Sequence, residues 1–209
     1  MTAKLKIKVC GMKYTANRTA VEKLPVDFLG YIFYPSSKRF VGDNAEPALF
    51  NSVKPKVAVF VDEAISEILR LSKKYDIHYV QLHGDESPEI CKALKEQGIT
   101  IIKAFNIDED FNFSTLRAYE NISDYFLFDT KTALPGGSGK KFNWEILSRY
   151  SGKTPFFLSG GVQPEDAPII RQITHPQLFG VDLNSGFEDE PGWKNIEKLK
   201  KFVREFKAV

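Results

Sequence analysis

Cysteine is scarce in this 209-residue chain, with only Cys10 and Cys91 present. They form no CxxC pair, so a disulfide-stapled scaffold is excluded. Histidine is also rare. His78, His83 and His175 make no HxH or HExxH pair, which removes the usual basis for a zinc site. No zinc site is expected. The formal net charge of +2 gives no face-wide cationic field, so nucleic acid is not an expected partner. No apolar run reaches the length of a membrane span, and the opening MTAKLKIK holds no apolar stretch of signal-peptide length. A cytoplasmic protein with no membrane partner is the expectation, either a monomer or a homodimer. No GxGxxG follows the first apolar run, so the best marker of an open dinucleotide-binding sheet is missing.

What is present is a regular alternation. Short apolar runs occur at Ile7–Val9, Phe28–Phe33, Val57–Phe60, Tyr79–Leu82, Ile101–Phe105, Tyr125–Phe128, Phe156–Leu158 and Leu178–Val181. Such runs suit strands buried on both faces. Amphipathic patterns lie between them at Glu63–Tyr75, Pro88–Gln97, Pro164–Arg171 and Asn195–Phe206. Ser87 is the expected N-cap before Pro88, and Gly98 the expected stop. Weaker helical patterns cover Thr15–Leu24, Ala45–Asn51, Ser114–Tyr119 and Asn143–Tyr150. Strict strand–helix alternation predicts a parallel sheet, and eight repeats predict its closure into an α/β fold, a (β/α)8 barrel. No linker or composition shift divides the chain, so residues 1–209 read as one domain.

In such a barrel the chemistry sits where the strands end at their C-termini. Reactive and small residues gather there: Cys10-Gly11, the 34–40 loop with Arg39, His83-Gly84-Asp85, Asp129 with the glycines at 136, 137 and 139 beyond it, Ser159-Gly160-Gly161, and Asp182 before Asn184-Ser185-Gly186. Glycine lets backbone N–H groups approach a phosphate, and the loops after strands seven and eight are the usual place. Gly160, Gly161, Ser185 and Gly186 occupy those two loops, which points to a small phosphorylated molecule as the partner. A thiol at a strand end is either a small core residue or a reactive group. Cys91, between Ile90 and Leu94 on a helix, reads as core. Asp129 closes an apolar run and reads either as an acid or as a loop brace. Arg39 offers a bidentate fork for a carboxylate. His83 reads equally as structural or as a ligand contact.

Taken in order, KVCGMK, SKRF, VQLHGDE, FDTKTALPGGSGKKFNW, LSGGVQPED and GVDLNSGFEDEPGWK resemble the phosphoribosylanthranilate isomerases of tryptophan biosynthesis over nearly the whole chain. The resemblance implies an Amadori rearrangement without cofactor or metal, in which phosphoribosylanthranilate becomes 1-(2-carboxyphenylamino)-1-deoxyribulose 5-phosphate. It implies Cys10 as general base, Asp129 as general acid, and Arg39 as the contact to the anthranilate carboxylate. It implies substrate and phosphate binding by the glycine loops, including Gly137, Gly139, Gly160, Gly161 and Gly186. Two positions depart from the family pattern. Lys38 stands where proline is usual, and Asp62 stands where asparagine is common. The histidine-pathway isomerase, with two aspartates and a doubled half-barrel, fits less well, because Cys10 holds the first position and no half-to-half repeat is visible. The lysine-rich site of indole-glycerol-phosphate synthase is not evident either. A non-catalytic phosphosugar-binding barrel would need neither Cys10 nor Asp129.

Overall fold

Eight strands close into one parallel barrel, in the order of the chain, with the last paired to the first. The computed structural model describes residues 5–42, 45–130 and 143–208. The strands are β1 (Lys6–Val9), β2 (Phe28–Ile32), β3 (Lys56–Phe60), β4 (Tyr79–Leu82), β5 (Thr100–Ile107), β6 (Tyr125–Thr130), β7 (Phe156–Leu158) and β8 (Leu178–Leu183). Among the described residues the α-helices are α1 (Thr15–Glu22), α2 (Ile65–Tyr75), α3 (Pro88–Glu96), α4 (Ala167–Arg171) and α5 (Ile196–Lys207). No helix among them is long and apolar enough to cross a membrane.

The helices form where the apolar spacing repeats on one side. Ile68, Leu71 and Tyr75 of α2 are buried, while Lys73 and Lys74 complement the carbonyl end of the helix dipole. Leu199, Phe202, Val203 and Phe206 do the same for α5, which Asn195 caps by accepting from the Lys198 amide. Ser87 occupies the N-cap position of α3, but its side chain bonds no helix N–H; Pro88 at the first helical position fixes that end instead. Gly98 follows the last turn at φ +80°, a conformation glycine adopts without strain.

Three of the weaker helical patterns fold as 3-10 turns: Pro47–Phe50, Phe113–Ala118 and Trp144–Arg149. These segments are too short to repay α-helix nucleation. Asn112 and Asn143 cap the last two through their side chains. Pro164–Arg171 likewise splits into a 3-10 turn, Pro164–Asp166, followed by α4. One element was not visible in the patterning: a small antiparallel hairpin, β9 (Glu188–Glu190) with β10 (Trp193–Lys194), lies between β8 and α5. Gly192 in its turn has φ +88°.

The inside of the barrel has two zones. Period-two alternation points Phe28, Val57, Ile102, Ala104, Leu127 and Phe157 inward, where they pack with Tyr79, Tyr125 and Phe179. The larger core lies between sheet and helices. Toward the C-terminal strand ends, the same inward alternation turns polar. Lys8 is in register with Phe28 and Asp182, Gln81 with Ile102, and Asp129 with Asn106.

Candidate active site

Cys10 follows β1 directly. Its amide donates to the Leu183 carbonyl of β8 at 2.9 Å, so the thiol's position is fixed by the barrel seam. The residue is 3% exposed. On the other side it lies against Gly30 of β2, where an added Cβ would stand 2.8 Å from Sγ. The missing side chain at Gly30 is therefore what makes room for the sulfur. Burial pushes the thiol above the ordinary cysteine range; Lys8 and Lys194 oppose the rise and Asp182 adds to it.

Two residues earlier on the same inward face, Lys8 is wholly buried. Its Nζ donates to Asp182 Oδ1 at 2.9 Å, and Cys10 stands two residues on along the same face of β1. Burial opposes its charge, but Asp182 and Cys10 together outweigh that and hold the ammonium above the ordinary lysine range. Asp182 was expected at a strand end facing a ligand. It sits instead within β8, buried and paired with Lys8.

Asp129 stands near the end of β6. Its Oδ1 accepts from the Thr130 amide at 2.8 Å, and its Oδ2 lies 3.3 Å from His83 Nε2. The Gln81 side-chain amide is 2.7 Å from His83 Nδ1. With that amide donating, Nδ1 is the acceptor, the ring proton sits on Nε2, and it points at Asp129. Both His83 and Asp129 keep about a quarter of their side chains exposed. On the loop after β7, Gly160 (φ +86°) makes room for Asp129: a Cβ there would lie 2.8 Å from Asp129 Oδ1 and 2.4 Å from the Thr130 nitrogen. Asp182 is close enough to feel the charge of Asp129 on one side and of Lys8 on the other. It also acts on Cys10. Cys10, Lys8, Asp182, Asp129 and His83 thus form one electrostatic group.

A second group borders Cys10. Arg39 holds Glu188 through Nε (2.9 Å to Oε1) and Nη2 (2.7 Å to Oε2). Lys194 donates to the same carboxylate at 2.6 Å and to Asn184 Oδ1 at 2.7 Å. Burial lowers Lys194 to about 8, against the pull of Glu188. Glu188 itself is held below the usual carboxylate range, because Arg39 and Lys194 more than offset its burial. The fork of Arg39 was expected to be free for a ligand. Its Nε–Nη2 edge is occupied by a protein carboxylate, and that pairing fixes the pose which proline at position 38 would otherwise help to restrict. Gly11 (φ +81°) lets this cluster approach: a Cβ would fall 2.8 Å from Arg39 Cδ and 2.9 Å from Asn184 Oδ1. The second departure, Asp62, braces a loop, its Oδ1 accepting from the Asp85 amide at 2.7 Å.

The two glycine loops meet. A Cβ on Gly186 would lie 2.3 Å from the Val162 carbonyl and 3.0 Å from the Gln163 amide group. Gly160 and Gly161 both take positive φ, at +86° and +65°. Ser185 opens the 3-10 turn Ser185–Phe187. Gly137 and Gly139 lie outside the described residues. Cys91 is buried in α3, and burial drives its thiol up to about 11. Among the described residues no His, Cys, Asp and Glu cluster could hold a metal. A surface groove of about 820 Å³ lies elsewhere, on the outside of the barrel near Trp144, Ile169 and His175, and contains none of these groups.

The sequence reading missed Lys8, Gly30, Gln81, Glu188 and Lys194. Lys8 and Gln81 had a signal, since each stands two residues before a chosen residue, and period two puts both pairs on one face. Glu188 and Lys194 depended on the undetected hairpin.

The profile of the N-(5'phosphoribosyl)anthranilate (PRA) isomerase family matches residues 7–205. An N-(5'-phosphoribosyl)anthranilate isomerase of Parabacteroides distasonis is 47% identical over 203 residues, covering 95% of this chain and 92% of its own. The crystal structure of phosphoribosyl anthranilate isomerase from Thermotoga maritima superposes with a TM-score of 0.85 at 30% identity, over 98% of this chain and 100% of that one. A further structure of such an enzyme, in complex with reduced 1-(o-carboxyphenylamino)-1-deoxyribulose 5-phosphate, gives a TM-score of 0.84 at 27% identity over 98% and 100%. The chain belongs to the phosphoribosylanthranilate isomerase family, the isomerases of tryptophan biosynthesis.

Proposed function

We propose that Cys10 and Asp129 carry the Amadori rearrangement of N-(5'-phosphoribosyl)anthranilate as general base and general acid. The observation that carries this reading is the placement of both groups at C-terminal strand ends of one closed barrel, Cys10 directly after β1 and Asp129 near the end of β6. Asp129 gives its proton to the furanose ring oxygen. The C1'–O bond breaks, and the nitrogen lone pair forms the C1'=N Schiff base. That cation acidifies the C2' proton, which the Cys10 thiolate removes. The electron pair moves to give the enolamine, which takes up a proton at C1', releases the C2' hydroxyl proton and becomes the ketone. No cofactor enters this sequence of steps. Each acid or base role supplies typically ~10²–10⁴-fold in rate.

The surrounding groups bind and orient. Arg39, steadied by Glu188, takes the anthranilate carboxylate. His83 and Asp182 flank the acid beneath the sugar. Gly160, Gly161, Ser185 and Gly186 receive the 5'-phosphate, helped by Gly137 and Gly139. The ligand in the similar complex, reduced 1-(o-carboxyphenylamino)-1-deoxyribulose 5-phosphate, has both anionic ends that this arrangement serves. The direct test follows the fluorescence of freshly made phosphoribosylanthranilate. Protein-dependent loss without added metal or cofactor is expected. A folded sample that binds the substrate but never turns it over would place the chain in the binding class.

Two substitutions probe the supporting residues. Gly30→Ala should displace the Cys10 sulfur and cost up to ~10²-fold in kcat/KM with the barrel intact, as sub-ångström to 1 Å misplacements do. Steady-state kinetics beside circular dichroism check it. Glu188→Gln should loosen Arg39 and raise KM by roughly 10-fold or more while kcat changes little, the scale of a charged hydrogen bond lost from ground-state binding. A larger effect on kcat than on KM would contradict the binding role of Arg39.

A further inference from the structure

Lys8 is a residue of the inner face whose charge the proposed acid–base pair does not explain. It is a charge placed in the middle of a closed barrel, with its side chain fully out of solvent. Such a charge is expensive, and an apolar residue at a strand position facing the core would be the cheaper way to build the barrel. Its ammonium donates to Asp182 Oδ1 at 2.9 Å, and Cys10 lies two residues further along the same strand face. The geometry behind this is simple. Residues 8 and 10 share the inward face of one strand, and Lys8 is in register with Asp182 across the β1–β8 seam.

We propose that Lys8 is a positioning residue for the isomerisation, its ammonium lowering the cost of forming the Cys10 thiolate while Asp182 limits how much of that charge the sulfur receives. The proposal rests on Cys10 being the base. The thiol needs a buried counter-cation because burial alone favours the neutral form. Charges face the sulfur from several elements. Lys8 comes from β1, Asp182 from β8, and Lys194 from β10, where it is engaged by Glu188; β2 presents only Gly30. Asp129 and His83 act on Asp182 from β6 and β4. Lys8 is the cation of this set that shares the inward face of β1 with the sulfur.

The consequence is a pair of opposite shifts. Lys8→Met removes the cation, so the thiolate should form at higher pH. Asp182→Asn removes the competing carboxylate and leaves Lys8 to the sulfur, so the thiolate should form at lower pH. Lys8→Arg keeps the charge and should stay near the wild type. Thiolate absorbance in the ultraviolet, titrated against pH and corrected with Cys10→Ala, reads the midpoint without requiring turnover. A movement of roughly 1–3 pH units is expected for each of the first two variants, with the acid limb of kcat/KM moving the same way. A merely structural ion pair would lower stability in both variants and leave the midpoint in place. An unchanged midpoint in folded Lys8→Met, or a shift of the same sign in Lys8→Met and Asp182→Asn, overturns the proposal. Should Lys8→Met not fold, a downward shift in Asp182→Asn with none in Lys8→Arg supports it, and no shift in Asp182→Asn overturns it. Opposite midpoint shifts together with normal turnover by Cys10→Ala would leave the charge arrangement standing and remove the base assignment instead.

Discussion

Cys10→Ala is expected to lower kcat by about 10²-fold or more, with KM nearly unchanged and the circular dichroism spectrum intact. In the proposed mechanism the thiol acts only on the C2' proton, so its loss is felt in the transition state rather than in binding. The fold should survive because the side chain removed is small, and the backbone bond from residue 10 to Leu183 remains. Cys10→Ser gives the sharper control. It keeps the volume beside Gly30, but its hydroxyl ionises far less readily than a thiol, so it should be nearly as slow as alanine. Wild-type turnover by either variant would mean that another group removes the proton.

Asp129→Asn should cost a similar ~10²–10⁴-fold in kcat. Asparagine is close to isosteric and can still accept from the Thr130 amide, so the loop should keep its place. What it cannot do is deliver a proton to the ring oxygen. The chemical partner most able to substitute is His83, whose Nε2 lies 3.3 Å from the Asp129 carboxylate. Asp129→Asn combined with His83→Gln separates the two cases. If His83 rescues ring opening, the double variant falls well below Asp129→Asn. If Asp129 is the acid and His83 only orients it, the second substitution adds little, as expected for groups that work as a unit.

The barrel was legible because period-two and period-3.6 patterns alternate along the whole chain, and buried parallel strands read as plain apolar runs. Tyr79–Leu82 and Phe156–Leu158 are observed with the bounds the patterning gives them. The strand ends were less legible where polar residues continue the ladder. Phe128 is followed by Asp129 and Thr130, which pair with Asn106 and Ile107, and Val181 is followed by Asp182 and Leu183. Those extensions matter, because they put Asp182 inside the barrel with Lys8 instead of in the loop above it. The 3-10 turns were over-read as helices because a four- to six-residue apolar pattern carries no information on whether an α-helix can nucleate.

At the site, residue type located Cys10, Asp129, Arg39 and the glycines of the β7 and β8 loops. Pairing could not be read the same way. Arg39 meets Glu188 across 149 residues of chain, and Lys8 meets Asp182 across 174. Both meetings exist only because β1 closes on β8 and the β9–β10 hairpin folds back beside the first loop. Gly30 and Gly160 belong to the same class. Each is needed for what it leaves empty, on a strand or loop adjacent to the residue it accommodates, and no local pattern marks that.

The measurement that tests the division of roles most directly is the isotope effect with substrate deuterated at C2'. With Cys10 as the base, Cys10→Ala makes C2'–H cleavage fully limiting, so the isotope effect on kcat should rise above the wild-type value. With Asp129 as the acid, Asp129→Asn makes ring opening limiting, so the effect should collapse toward unity. The same isotope effect in both variants, or the reverse pattern, would contradict the assignment of Cys10 to the carbon-bound proton and Asp129 to the ring oxygen.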